Sequence, residues 1–364
     1  MSKKIVVTLG EIMARLASPH HLRLRQTREL EVSYAGSEAS VAVSICNYGG
    51  QARYVTALPS HAMGMAARDA VRAMGVDTRF ILQNNKGRLG LYFLETGANQ
   101  RPSNVIYDRE NSAVSQTPPE DYDWNGIFED AAWLHLSGIT PALSKNAAAL
   151  TLTAAKEAKK VGATVSIDLN FRKKLWNWDP SKSRKELARS TMSDILPFID
   201  VVIANEEDCH DVLDIQAGDT DVHSGELDIS RYPSVAKKVI ELFPNISKVA
   251  ITLRESLSAT HNNWGAMLYD SETDQSHFAP LNSDGQYGPY EIKHIVDRVG
   301  GGDSFAGGLI FALLTDGLNE PSEAVKYAVA ASCLKHSIKG DFNFVTRAEV
   351  ESLMGGASSG RVNR

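Results

Sequence analysis

Short apolar runs alternate with helical stretches along most of the chain. Residues 5–9, 53–57, 133–136, 164–169, 200–204 and 249–253 are apolar or β-branched and short, which predicts strands. Residues 40–48, 63–74, 145–161 and 234–243 carry apolar positions at helical spacing and predict helices. Ser144 stands where an N-cap is expected, and Gly162 where a helix would stop. A β-α-β-α rhythm of this kind predicts a parallel sheet with helices on both faces, and ligands beyond the carboxyl ends of its strands.

Two stretches break the rhythm. Residues 22–34 and 88–109 are extended and partly polar, and the second contains a turn-like Thr96-Gly97-Ala98-Asn99. Strands without crossover helices fit poorly inside a doubly wound sheet. Both stretches are therefore expected to form a small antiparallel flap, with irregular surface loops as the alternative. The expected fold is a three-layer α/β/α domain with a mainly parallel central sheet and a small antiparallel β lid. A single domain is expected over residues 1–364, with the lid drawn from about 14–35 and 88–109. Residues 211–231 predict a polar surface insertion, and 355–364 a disordered tail.

Composition narrows the partners. The 364 residues carry a net charge of −6, which argues against nucleic acid, since that needs a basic footprint. Cys46, Cys209 and Cys333 are too dispersed for a disulfide framework or a zinc site and fit a reducing, cytoplasmic setting. No apolar run reaches membrane-spanning length, so no membrane partner is expected. The histidines show no metal-ligand spacing, and no protein metal site is expected.

The most informative segment is Asp297-Arg298-Val299-Gly300-Gly301-Gly302-Asp303, followed by an apolar helix. Glycines let a backbone approach a ligand closely, and a helix start offers unpaired N–H groups at the positive end of a dipole. That combination suits a phosphoryl group. Asp303 at the helix start reads either as an N-cap or as a general base for a hydroxyl attacking phosphorus. No G-x-x-x-x-G-K-[ST] occurs, and Gly10-Glu11 after the first strand is not a dinucleotide fingerprint. There is no G-x-S-x-G elbow either.

The segment resembles the second signature of the ribokinase-like (PfkB) carbohydrate kinases, D-T-x-G-A-G-D, with Arg298 replacing Thr and Gly301 replacing Ala. The first signature, G-G-x-x-x-N-x-A, is similar to Ala35-Gly36-Ser37-Glu38-Ala39-Ser40-Val41-Ala42, and N-x-x-E to Asn205-Glu206-Glu207-Asp208. Leu136-Ser-Gly-Ile139-Thr-Pro, Asp168-Leu-Asn170-Phe-Arg172 and Tyr107-Asp-Arg109, with Tyr92 and Lys339-Gly340-Asp341, bring the likeness nearest to the 2-keto-3-deoxygluconate kinases.

The resemblance implies an enzyme using ATP and Mg2+ to phosphorylate the 6-hydroxyl of 2-keto-3-deoxy-D-gluconate. Alternatives are a related kinase of fructose or of the galactonate epimer, or a sugar-binding regulator without turnover. It implies Asp303 as base, with Gly300, Gly301 and Gly302 as the anion hole. Substrate contacts would come from Gly36, Tyr92, Tyr107, Arg109, Ile139, Asp168, Asn170, Arg172 and Asp341. Nucleotide contacts would come from Asn205, Thr252, Arg254, Gly300 and Gly302, although T-x-G-x-x-G is replaced by Thr252-Leu-Arg254-Glu-Ser. A lid of this kind implies pairing of subunits into a homo-oligomer. Chemistry agrees with an acid: a 2-keto acid is anionic and calls for guanidinium partners. Tyr107 and Arg109 are two apart, hence on one face of a strand, and an extended chain would project Asp168, Asn170 and Arg172 alike.

Overall fold

A computed structural model describes residues 4–205, 207–215 and 229–356. Its strands, in chain order, are β1 (Ile5–Leu9), β2 (Met13–Ala17), β3 (Glu31–Ala35), β4 (Gln51–Pro59), β5 (Ile81–Asn84), β6 (Gly90–Glu95), β7 (Asn104–Asp108), β8 (Ala131–Ser137), β9 (Thr164–Asp168), β10 (Val201–Asn205), β11 (Lys248–Ser258), β12 (His261–Asp270), β13 (Gln275–Ala279) and β14 (Tyr290–Lys293).

The large sheet runs β13-β12-β11-β10-β9-β8-β1-β4-β5, with β14 also on β12. From β11 to β5 every pair is parallel. Apolar residues on both faces meet this demand: Val7 and Leu9 of β1 enter one core with the helices Lys145–Lys160 and Arg184–Ile195, while Val6 enters the other. That second core holds the helices Ser37–Asn47, Gly301–Leu313 and Pro321–Lys335. Ser144 is the N-cap of its helix, accepting from Ala147 N at 3.0 Å.

Gly301–Leu313 is wedged between its two neighbours. A Cβ on Gly307 would meet Ser44 Cβ at 2.7 Å, and one on Gly308 would meet Ala328 Cα at 3.0 Å. The glycines thus allow three helices to pack closely, and the loop at the wedged helix's start is held by what surrounds it.

Four expectations are corrected. Residues 22–34 are not a hairpin: only Glu31–Ala35 is a strand, and its partner is β2, whose Met-Ala-Arg-Leu-Ala alternation hides a buried arginine. The small sheet, β3-β2-β6-β7, is not wholly antiparallel, because β2 and β6 pair in parallel between two antiparallel pairs. The large sheet does contain strands without crossover helices, since β11 to β14 pair antiparallel at its end. The expected insertion begins inside a helix, Asp208–Leu213, whose Asp211 to Leu213 are buried. Residues 216–228 and 357–364, which hold most of that insertion and of the expected tail, lie outside the described residues.

Candidate active site

The carboxyl ends of β9, β10 and β11 open into a cleft that is open to solvent at its mouth and roofed by the small sheet. This is where a doubly wound sheet exposes backbone and side chains to a ligand. Every residue expected at the site lines this one cleft.

The floor is the triglycine loop. Gly300 is the N-cap of Gly301–Leu313 with φ 81°, and a Cβ there would strike Asp341 O at 2.3 Å, so both conformation and space require glycine. A Cβ on Gly302 would meet nothing within 4 Å, so that side of the loop faces open space. The N–H groups of residues 300 to 303 make no hydrogen bond with a described residue, while Ser304 N already bonds Gly300 O at 2.9 Å. This leaves a ring of amide donors at the positive end of a helix.

Asp303 is the third residue of that helix, so the plain N-cap reading fails. Its Oδ1 accepts from Ser37 Oγ at 2.6 Å, and its Oδ2 takes no hydrogen bond from a described residue. Burial pushes its carboxyl up to about 6, with the Ser37 bond opposing and the Asp341 charge adding to the rise. Such a group is ionised at neutral pH yet basic enough to accept a proton.

The roof is set by strand alternation. Arg15, Tyr92 and Tyr107 lie in one cross-strand row on the cleft side of the small sheet, with Arg109 just beyond β7. Arg15 donates to Asp341 Oδ1 at 2.6 Å and Asp297 Oδ2 at 2.5 Å, and Tyr92 Oη donates to the same Asp341 oxygen at 2.7 Å. Asp341 Oδ2 takes no bond from a described residue. Asp297 also accepts from Val299 N at 3.1 Å and Gly340 N at 3.0 Å. One buried arginine therefore ties the roof to the loops on both sides of the anion hole.

Arg109 lines the cleft, but its guanidinium is not free. Its Nε donates to Glu11 Oε2 at 2.7 Å, a second nitrogen bonds the same oxygen, and the guanidinium lies over the Tyr107 ring. Glu11 Oε1 is buried in the cleft wall without a donor.

The remaining wall follows the strand ends. Asp168 ends β9, Asn205 ends β10, and Thr252 pairs with Asn205 in register. The chain after β9 is not extended: Asn170 has φ 37°, and a turn rather than a strand presents Asp168, Asn170 and Arg172. Asp168 Oδ1 accepts from Asn170 N at 3.2 Å, and Asp208 accepts from Phe171 N at 3.0 Å and Asn205 N at 3.3 Å. Burial pushes Asp208 up to about 6; burial, then the Asp208 charge, holds Asp168 well above the carboxylate range. Arg172 is exposed, lowers both, and makes no ion pair with a described residue. Ile139 follows β8 beside Gly36, the N-cap of Ser37–Asn47.

Sequence reasoning missed several cleft residues. Glu38 is buried against Gly10, accepts from Thr140 Oγ1 at 2.8 Å and is pushed by burial up to about 7. Glu11, Trp264 and Arg298 of the lining were missed as well, and so was Arg15, which holds the lining Asp341. A charged residue at an inward position of β2 was the one available signal for Arg15; the others depend on distant partners.

Residues 3–253 match the pfkB family carbohydrate kinase profile. The chain is 32% identical over 356 residues to a 2-dehydro-3-deoxygalactonokinase of Haloferax volcanii, covering 98% of each. It is 25% identical to a 2-dehydro-3-deoxygluconokinase of Bacillus subtilis, covering 96% of this chain and 94% of the other. The crystal structure of a 2-dehydro-3-deoxygluconokinase from Thermotoga maritima superimposes with a TM-score of 0.86 at 43% identity, covering 97% of this chain and 100% of that one.

Proposed function

Because this chain belongs to the pfkB family of carbohydrate kinases, we propose that it transfers the γ-phosphoryl of ATP to the 6-hydroxyl of 2-keto-3-deoxygluconate, the compound also called 2-dehydro-3-deoxygluconate. The observation that carries the acid is Arg172, a guanidinium facing the cleft without a carboxylate partner among the described residues. A neutral sugar would give that charge nothing to bind, whereas a 2-keto acid supplies a planar anion.

In this reading the attacking hydroxyl loses its proton to Asp303 Oδ2. The amides of Gly300, Gly301 and Gly302 hold the charge on the migrating phosphoryl oxygens. Asp341 Oδ2 and Glu11 Oε1 accept from sugar hydroxyls, and Tyr92, Tyr107, Ile139, Gly36, Asn170 and Asp168 shape the acceptor pocket. Arg109 acts with Glu11 as a fixed pair and contributes little free charge. Asn205, Thr252 and Arg254 line the nucleotide end. Bound together with ATP, Mg2+ would supply neutralisation of phosphate charge. Asp168 and Asp208, adjacent carboxylates in the cleft wall, suit a cation that keeps most of its waters. The small sheet acts as a lid.

The second reading is the C4 epimer, 2-keto-3-deoxygalactonate, which the full-length 32% relative favours. ADP release across both epimers, fructose and gluconate tests the assignment. Turnover confined to the 2-keto-3-deoxy acids is expected. Equal turnover of fructose sinks the acid reading, and ATP binding without turnover of any compound in the panel leaves a non-catalytic binder.

The lid's outer face carries a cross-strand row of Val32, Leu16, Phe93 and Ile106, with Val32 58% and Ile106 48% exposed. We propose that a second copy of the chain covers it.

A further inference from the structure

Lys335 is the last residue of the helix Pro321–Lys335 and is 0% exposed. Its Nζ donates to Val299 O at 2.9 Å and Ile338 O at 3.2 Å. It makes no ion pair with a described residue, since the nearby carboxylates of Asp297 and Asp341 are taken by Arg15. A buried ammonium with no carboxylate in contact is destabilising, and an apolar side chain would fill the same space without that cost. What it touches gives it a reason to be there. Val299 C=O and Gly300 N–H belong to one peptide unit. Ser332, one helical turn earlier, shares that face of the helix and donates from Oγ to Gly301 O at 2.6 Å. That carbonyl belongs to the peptide whose N–H is on Gly302. The carbonyl between them, Gly300 O, accepts from Ser304 N at 2.9 Å. Three successive peptides of the loop thus receive a donor on their oxygens from behind, while the N–H groups of Gly300, Gly301 and Gly302 bond no described residue in front. His336 completes the contact between helix and loop, because a Cβ on Gly301 would meet its Cε1 at 3.1 Å.

A donor on an amide oxygen polarises the amide and strengthens its N–H, and a cation does so more than a neutral group. We infer that Lys335 and Ser332 are positioning residues of the triglycine loop, polarising the Gly300 and Gly302 peptides from behind so that their N–H groups grip phosphoryl oxygens more strongly. The inference rests on the kinase reading above. Neither side chain lines the cleft, so neither touches a substrate. Each acts through a peptide unit. Charge gathering on the migrating phosphoryl oxygens is met by the loop's N–H groups and, through them, by the ammonium. The same ammonium reaches Asp303: burial raises that carboxyl, and the Lys335 charge is among those opposing the rise. Burial lowers the ammonium from its ordinary 10.5; the charges of Asp297, Asp341 and Asp303 oppose this, and that of Arg15 adds to it.

ADP release with 2-keto-3-deoxygluconate and calorimetry with inorganic tripolyphosphate test this on the full chain, Lys335→Met, Lys335→Ala and Ser332→Ala. Lys335→Met keeps the length of the side chain without its charge. Its kcat is expected to fall ~10–100-fold, and that of Ser332→Ala ~3–10-fold, with KM for the sugar acid within about threefold in both. Tripolyphosphate affinity is expected to fall ~3–10-fold in each. The acid limb of kcat/KM in Lys335→Met is expected to move upward, because Asp303 loses a positive neighbour. Methylammonium, which returns charge and N–H donors to the vacated space, is expected to restore turnover of Lys335→Ala saturably, whereas tetramethylammonium, which has no N–H, restores none. Unchanged kcat in Lys335→Met overturns the inference, and so does an unmoved acid limb in that variant together with no rescue of Lys335→Ala, the pattern of a residue that only packs. Should the lysine variants not fold, Ser332→Ala decides, and unchanged kcat and tripolyphosphate affinity there overturn it. Failure of the kinase reading looks different: the wild-type chain phosphorylates no sugar acid yet binds tripolyphosphate more tightly than the variants do. Absence of tripolyphosphate binding by the wild-type chain overturns both.

Discussion

At the scale of single residues, the proposed acid-base chemistry rests on Asp303. Asp303→Asn keeps the shape and the bond partner Ser37 but cannot take a proton, so kcat is expected to fall at least ~10²-fold with ATP affinity unchanged. Near-normal turnover of that variant would remove Asp303 from the base role. Because only the ionised carboxyl accepts, kcat/KM is expected to rise with pH through about 6, the value burial imposes. The same shift affects stability. The folded carboxyl titrates at about 6 against an ordinary 3.8, so the folded chain disfavours its charge; that cost is absent below 3.8 and complete above about 6. Asp303→Asn is therefore expected to stabilise the fold at pH 8 by an amount on the order of 1–3 kcal/mol, seen as a higher Tm, and to leave Tm unmoved near pH 4. Arg172→Ala addresses the acceptor. Its KM for the 2-keto acid is expected to rise ~10–100-fold while that for any neutral sugar stays put, and equal rises for both would refute a carboxylate contact.

At the scale of elements, the helix Gly301–Leu313 was the most legible piece, because its instructions are local. Three glycines, an acidic residue and an apolar run announce a loop and a helix start without knowledge of any partner. The tight packing at Gly307 and Gly308 was not legible, since it depends on Ser44 and Ala328 from other helices. Gly308→Val is expected to be among the most destabilising single changes, lowering Tm in denaturation as the side chain is driven against Ala328. An unchanged Tm would mean that the three helices slide apart freely. The strands beyond β11 were misread for a related reason. Thr252-Leu-Arg254-Glu-Ser departs from a known loop pattern, but its alternation is that of a hairpin strand, which pairs with β12 along its length. Asp168 to Arg172 came together for a different reason from the expected one: the turn at Asn170, not continued extension, aims them into the cleft.

At the scale of the whole molecule, the lid shows two faces of opposite character. Alternation sends Arg15, Tyr92 and Tyr107 inward and leaves Val32, Leu16, Phe93 and Ile106 outward. The double variant Val32→Lys, Ile106→Lys is expected to shift the mass measured by light scattering from an oligomer to a single chain. A wild-type chain already monomeric at working concentration would refute the lid interface. Sequence pattern captured which segments form this sheet better than how they pair, because a hairpin is local while the parallel β2–β6 pair joins segments far apart in the chain. The ion pairs of Arg15, to partners 282 and 326 residues away, are beyond any reading of spacing.

That arginine has a consequence for the order of events. Its guanidinium grips one carboxylate that precedes the triglycine bend and another that faces the acceptor pocket. Whatever loosens or tightens the second grip is felt by the first, since a single rigid fork serves both. On the proposed kinase reading, an acceptor that bonds Asp341 would pull on the same fork that seats the donor loop, and a water molecule, too small to span that pocket, would gain no such leverage.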